Sequence, residues 1–230
     1  MRLSIIMPVL NEAADIGVAL QALQGLRARG AEVIVADGGS TDETVRTAMP
    51  LCDLLVRSPR GRARQMNAGS DGATGDVLLF LHADTRLPEN ADLAISSALA
   101  LTRRKWGRFD VAIEGAHPML RIIAAMMNRR SRLTGIATGD QAIFIRRETF
   151  DAINGFPDIA LMEDIAISKK LRRLSLPACI RAKVRTSGRR WETRGVWRTI
   201  FLMWRLRLAY FFGADPKALA IAYGYRPPDE

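Results

Sequence analysis

Gly75-Asp76-Val77-Leu78-Leu79-Phe80-Leu81-His82-Ala83-Asp84-Thr85-Arg86-Leu87 decides how the rest of the chain is read. After a Gly-Asp turn, five apolar residues run from Val77 to Leu81 without polar alternation, the mark of a strand covered on both faces within an α/β sheet. The run stops at His82-Ala83-Asp84. Side chains alternate along a strand, so His82 and Asp84 are expected to point the same way at its C-terminal end. Open α/β sheets bind their ligands at that edge.

Working back from it, Leu3–Val9, Glu32–Ala36 and Asp53–Val56 read as three more short strands. Helical spacing at Ile16, Leu20, Leu23 and Leu26 predicts one helix over 13–28, ended by Gly30. Ser40 three residues before Glu43 predicts a capping box opening a helix over 42–48. A further helix follows Arg57-Ser58-Pro59-Arg60-Gly61-Arg62 and reaches Ala73. The β-α alternation predicts an α/β fold with a mostly parallel central sheet and helices on both faces. The first turn lacks G-x-G-x-x-G, which argues against a dinucleotide-binding Rossmann domain.

Working forward, helices are expected at 91–102, 117–132, 148–153 and 163–174, and strands at 108–113, 142–145 and 178–184. A helical, basic C-terminal segment covers 196–212. With no repeat or linker, one domain is expected over 1–213, with a nucleotide-binding half at 1–115, an acceptor half and C-terminal helix at 116–213, and a polar tail at 214–230.

The 230 residues suffice for a sizeable core, and 48% hydrophobic with 25% charged content is ordinary for a globular protein. The charge is not ordinary: 34 Lys and Arg against 24 Asp and Glu give +10, which favours anionic partners. Cys52 and Cys179 lack metal-ligand spacing and are expected as reduced thiols. The N-terminus lacks a signal-peptide pattern, and no apolar run approaches the roughly 18 residues of a membrane span. A cytoplasmic protein is expected, with peripheral contact at the inner membrane face left open.

Four acidic spots follow the ends of secondary structure: Asp37, Asp84, Asp140 and Glu163-Asp164. Each could be a turn former or helix cap, where Asp is favoured anyway. Between the first two lies Arg57–Asn67, with four arginines and no acid. Arginine forks match phosphate oxygens, and a helix start near Gly61 adds backbone N–H donors. A solvated cationic helix start is the plain alternative. Acids beside a phosphate-friendly loop suggest a nucleotide held with a divalent cation.

The succession Pro8-Val9-Leu10-Asn11-Glu12, Ala36-Asp37-Gly38-Gly39-Ser40-Thr41-Asp42, Arg60-Gly61-Arg62-Ala63-Arg64-Gln65-Met66-Asn67-Ala68-Gly69, His82-Ala83-Asp84 and Glu163-Asp164 resembles family 2 glycosyltransferases. The resemblance covers residues 3 to about 175. At GRARQMNAG, HAD, GDQ and ED the wording is similar to a bacterial subfamily labelled as arsenosugar-biosynthesis-type glycosyltransferases. It implies a GT-A fold and an inverting transfer from a nucleotide-diphosphate sugar, with a UDP-sugar as expected donor, to an acceptor hydroxyl on a small molecule or a lipid-linked compound. A divalent cation, Mn²⁺ or Mg²⁺, is implied as cofactor.

The resemblance places Pro8 and Glu12 in the first nucleotide-contacting loop and Asp37 on the base. Gly61, Arg62 and Asn67 belong to the arginine-rich motif, and Ala83 sits within the metal motif. Asp84 matches the last acid of D-x-D, which binds metal and sugar nucleotide. Asp164 matches the catalytic base, with Glu163 beside it, and Asp140 and Gln141 fall where the family lines its sugar pocket. Two departures stand out. His82 replaces the first acid of D-x-D; it could ligate Mn²⁺ but suits Mg²⁺ poorly, and could equally be structural. Ser187-Gly188-Arg189-Arg190-Trp191 resembles the Q-x-x-R-W of processive synthases with Ser187 in place of Gln, leaving Arg190 to clamp the leaving diphosphate.

From Arg181 to Gly213 there are nine Lys or Arg and one acid, Glu192. Arg198 and Arg205 share a helical face and Arg207 lies roughly opposite. The aromatic-rich helix could lie in an anionic membrane interface or pack on the catalytic domain. Rival readings are a nucleotidyltransferase, disfavoured by Asn11-Glu12 in place of a glycine-rich first loop, and a nucleotide-sugar-binding protein without turnover. No nucleic acid partner is expected, since the arginines form no recognisable reading module.

Overall fold

Strand β1 (Leu3–Val9) runs between β2 (Glu32–Asp37) and β4 (Val77–Phe80), parallel to both, with β3 (Leu54–Arg57) parallel to β2 on the outside. This is a computed structural model, and it describes residues 1–225. Past β4 the sheet changes character. β7 (Phe144–Arg146) is antiparallel to β4, and β6 (Trp106–Glu114) is antiparallel to β7. β8 (Ala178–Ser187) is parallel to β6, and the two-residue β5 (Thr85–Arg86) closes the edge antiparallel to β8. The order is β3-β2-β1-β4-β7-β6-β8-β5. Parallel pairings outnumber antiparallel ones, so the mostly parallel sheet expected from the sequence is present, with a mixed second half.

The two faces are read directly from residue parity. Ile5, Met7, Val33, Val35 and Leu79 join one core cluster, and Ile6, Ile34, Leu78 and Phe80 join the other. The first is covered by α1 (Ile16–Gln21), α2 (Gln24–Ala28), α5 (Ala91–Thr102) and the start of α6 (Met119–Thr134). The second is covered by α4 (Arg62–Asp71), α7 (Arg147–Ala152) and α8 (Glu163–Leu174). Burial on both sides is why the Val77–Leu81 run lacks alternation. A third, small cluster joins Leu161 and Met162 to Leu206 of α10 (Val196–Phe211) and to Leu219 and Ala220 of α11 (Pro216–Tyr223).

Several expectations are corrected. The helix expected over 13–28 is two, because the Gln24 side-chain amide donates to Leu20 O at 2.9 Å and ties it to Leu51 O at 3.0 Å. The Ser40–Glu43 capping box does not form. Ser40 Oγ accepts from Asn11 N, and Asp42 accepts from Thr44 N ahead of α3 (Thr44–Ala48). β4 ends at Phe80; His82–Thr85 is a turn closed by Thr85 N donating to His82 O at 3.0 Å. Strand alternation therefore does not set the aim of His82 and Asp84. In the segment read as a polar tail, α11 forms, with Asp215 accepting from Lys217 N and Pro216 in the first turn. Residues 226–230, which that reading also covered, lie outside the described residues. α9 (Arg189–Arg194) and β5 were not anticipated.

A cluster of charge lies within the second half of the sheet. Arg108 of β6 is fully buried, its guanidinium bonded to Asp110 and to Asn128 O, and Arg132 of α6 holds the other oxygen of Asp110. A register shift in the β6–β8 ladder falls between Phe109 and Asp110.

Candidate active site

The C-terminal ends of β1 and β4 open into a cleft of about 1030 Å³. Its floor is Pro8–Leu10 and Glu12 at and just beyond the end of β1, and His82, Ala83 and Asp84 after β4. The start of α4 forms one wall, and Thr138–Asp140 with the start of α8 the other. Parts of α9, α10 and α11 cover it. Gln65 of α4 fixes the floor by donating to Val9 O at 2.7 Å and to Ala36 O at 2.9 Å. Gly61 begins α4 at φ +140°, a conformation L side chains avoid, and the chain there delivers Arg62 into the cleft.

Gly139 is the joint between the strand tip and the acid pair. Its N–H donates to Asp164 Oδ2 at 3.1 Å. A Cβ on it would come within 2.5–2.6 Å of the His82 ring, so any side chain there would displace the imidazole. His82 Nδ1 lies 3.5 Å from Asp140 Oδ1. Burial alone would raise the Asp140 carboxyl, but the His82 hydrogen bond and the charges of His82, Arg62 and Arg190 hold it below the usual carboxylate range. The Asp140 side chain is 45% accessible, and the solvent it reaches is that of the cleft.

Glu163 and Asp164 follow Met162, whose φ of +71° is rare for a side chain of that size. That left-handed step starts α8 so that both acids face the cleft. Burial and mutual repulsion push the Glu163 carboxyl up. Burial likewise raises Asp164, with Asp140 adding to it, against the bonds from Gly139 and Ile165 N–H. Asp164 therefore binds its proton more tightly than an exposed aspartate, opposite to the effect of a helix N-terminus alone. Glu12 is also raised, first by burial and then by the nearby Asp84 charge.

The cationic side is equally defined. The Arg62 guanidinium lies 5.4 Å from the Tyr225 ring centroid, and that of Arg190 lies 4.4 Å from Tyr223. Burial opposes the Arg62 charge, but Tyr225, Glu163, Tyr223 and Asp140 outweigh it and raise its proton affinity. Arg190 Nη1, Arg207 Nε and the Tyr225 hydroxyl are buried without a protein hydrogen-bond partner, and all three residues line the cleft. Unpaired buried donors of this kind suit an anionic ligand.

For a cation, the donors are few. Among the described residues no three His, Cys, Asp or Glu converge to hold a metal ion. Asp84 is exposed in the cleft, with one oxygen 3.2 Å from Thr85 Oγ1, and its backbone is pinned by Ser187 N donating to Asp84 O at 3.1 Å. One free carboxylate fits an ion that takes its remaining ligands from substrate phosphates and water. His82 is engaged with Asp140.

Of the residues singled out from the sequence, the cleft brings together Pro8, Glu12, Gly61, Arg62, His82, Ala83, Asp84, Asp140, Glu163, Asp164 and Arg190. Three are outside its lining. Asp37 is buried and accepts from Gly39 and Ser40 N–H; Asn67 clamps the Phe156 backbone through both amide atoms; Gln141 bonds Ser131 and Asn128 inside the fold. Sequence reasoning missed Tyr223 and Tyr225. The signal was present in Asp215-Pro216, a helix cap followed by Pro at the first helical position, and in Gly224 after the last turn.

Residues 4–110 match the sequence profile of Glycosyl transferase family 2. Over 98 residues the chain is 39% identical to proteins of Mycobacterium bovis and Mycobacterium tuberculosis described as PGL/p-HBAD biosynthesis glycosyltransferases, an overlap of 40% of this chain and 38% of theirs. The fold is similar to S. aureus TarS in complex with UDP-GlcNAc, at TM-score 0.65 and 17% identity over 81% of this chain and 58% of that one. It is also similar to the mannosyltransferase PcManGT from Pyrobaculum calidifontis in complex with GDP-Man and Mn²⁺, at TM-score 0.64 and 23% identity over 98% and 66%. At those identities the likeness speaks for the fold alone. The match to glycosyl transferase family 2 thus covers residues 4–110, the part that builds β1 to β5 and half of β6, and the fold agrees with the GT-A fold the sequence led us to expect.

Proposed function

We propose that the cleft binds a nucleotide-diphosphate sugar and transfers the sugar, with inversion, to an acceptor hydroxyl. The observation that carries this is the meeting of a raised acid, Asp164, with the unpaired arginine donors of Arg190 and Arg207 in one cleft at the strand ends. Arg62 and Arg190 hold the diphosphate through their planar forks. Asp84 is the residue that would hold a divalent cation, which when bound supplies positive charge for the leaving diphosphate. Asp164 takes the proton from the acceptor hydroxyl as it attacks the anomeric carbon, a task suited to a carboxylate with elevated proton affinity. Gly139 N–H on Oδ2 and Ile165 N–H on Oδ1 fix the orientation of the Asp164 carboxyl. His82 and Asp140 brace the wall between base and metal corner.

A UDP-sugar is the proposed donor, with GDP-sugars the direct comparison because the two nucleotides occur in the structurally similar proteins. The test is a panel of UDP- and GDP-sugars, with Mn²⁺, Mg²⁺ or chelator, read by thermal shift and by release of nucleoside diphosphate. One nucleotide should raise the melting temperature, more so with cation, and its sugar conjugate should be turned over. Asp164→Asn should cut turnover by about a thousandfold or more while retaining the nucleotide shift. Binding without diphosphate release would leave a sugar-nucleotide-binding protein, and near-normal turnover in Asp164→Asn would remove that residue as the base.

A further inference from the structure

α10 has two working faces. Thr199, Met203 and Arg207, spaced by four, line the cleft. On the other side Trp197, Phe201, Trp204, Leu208 and Phe211 follow one another at three- and four-residue steps, and each is 59–74% exposed. They form a continuous aromatic stripe along the helix. Phe201 and Trp204 meet edge to face at 6.5 Å, so this part of the stripe packs within itself, although among the described residues no other element covers the stripe. A row of large aromatics left on a surface marks an interaction site more often than chance.

We infer that this stripe docks the protein on an anionic lipid surface, with α10 lying in the plane of the interface and the cleft directly behind it. Three observations select a bilayer over a protein partner. The exposed Arg198 and Arg205 run along one flank of the stripe, where their charged heads reach phosphate headgroups while their stems cover apolar surface. Between Glu192 and Asp215 there is no acidic residue, and the chain carries +10 overall. A second copy laid on the same stripe would bring arginines together with no acid on either helix to answer them. Finally, no helix among the described residues is long and apolar enough to cross a membrane, so the helix lies along a surface and does not span it. This docking is independent of the transfer chemistry and stands or falls separately from it.

The experiment is co-sedimentation of the full chain with vesicles of phosphatidylcholine alone or with about one-third phosphatidylglycerol. Tryptophan emission and quenching by brominated lipid are followed in parallel. Binding should be at least about tenfold tighter to the anionic vesicles and weaken with added salt, with a blue shift from Trp197 and Trp204. The double variant Phe201→Glu/Trp204→Glu, whose side chains face solvent, should melt like the parent and lose at least about tenfold in vesicle affinity. Failure of the parent to bind anionic vesicles overturns the inference, as does a folded variant that binds like the parent. A parent that is dimeric without lipid, and a variant that is monomeric, would assign the stripe to a second copy and overturn it equally.

Discussion

At the scale of single residues, the site turns on a hydrogen atom. The α-carbon of Gly139 lies against the His82 ring while its N–H holds Asp164, so a methyl group there would disturb both sides of the cleft at once. The acids next to it carry a pH signature. Glu163 and Asp164 bind protons more tightly folded than unfolded, so folding takes up protons and stability declines as pH rises through their elevated folded values. Their contribution is fully present below the unfolded values. Glu163→Gln removes one titrating partner, so its melting temperature should gain on the parent as pH rises above the ordinary glutamate value of 4.5. Each unit of pKa displacement corresponds to about 1.4 kcal/mol. Paired thermal melts from pH 4 to 8 check this; a constant gap between the two proteins would contradict it. Asp84, Asp140 and Asp164 were legible in the sequence because each sits where an element ends or begins. Asp37, Asn67 and Gln141 carry the same motif pattern, yet their side chains are absorbed by partners. For Asn67 the partner is Phe156, 89 residues away, a distance that local spacing cannot read.

At the scale of elements, α10 and α11 complete what the sheet begins. Tyr223 and Tyr225 bring the end of α11 onto Arg62 and Arg190 of the cleft. The helix depends on its cap: Asp215→Ala should cost about 1 kcal/mol of local stability. Hydrogen exchange in 216–223 should then accelerate several-fold while β1 and β4 exchange as before; uniform acceleration across the sheet would contradict a local role. Longer helices such as α5 and α8 were predicted almost residue for residue, α8 because its apolar periodicity over three turns outweighs local accidents. The break between α1 and α2 was not, since it depends on a side-chain amide capturing a helical carbonyl with help from Leu51. β5 escaped because two residues have no period at all; Thr85 and Arg86 are strand only through Thr186 and Arg185.

At the scale of the molecule, the sheet ties the two halves of the chain together. β6 contributes to the first 115 residues, but its partners β7 and β8 and its cover α6 come from the second. A fragment of residues 1–115 should therefore show no cooperative thermal transition by circular dichroism, whereas the full chain melts in one step; a cooperative fragment would establish the first half as an independent domain. The Arg108–Asp110–Arg132 group, whose first two members are buried, bears on the register of this junction. Strand pairings of period two can slip by a residue, and a slip of β6 against β8 would move Arg108 and Asp110 towards the places now held by Phe109 and Val111, among apolar side chains. Asp110 would lose Arg132, and stranded buried charge costs several kcal/mol. The triad thus singles out one register for the strand that joins the two halves, the register in which every charge on it is answered.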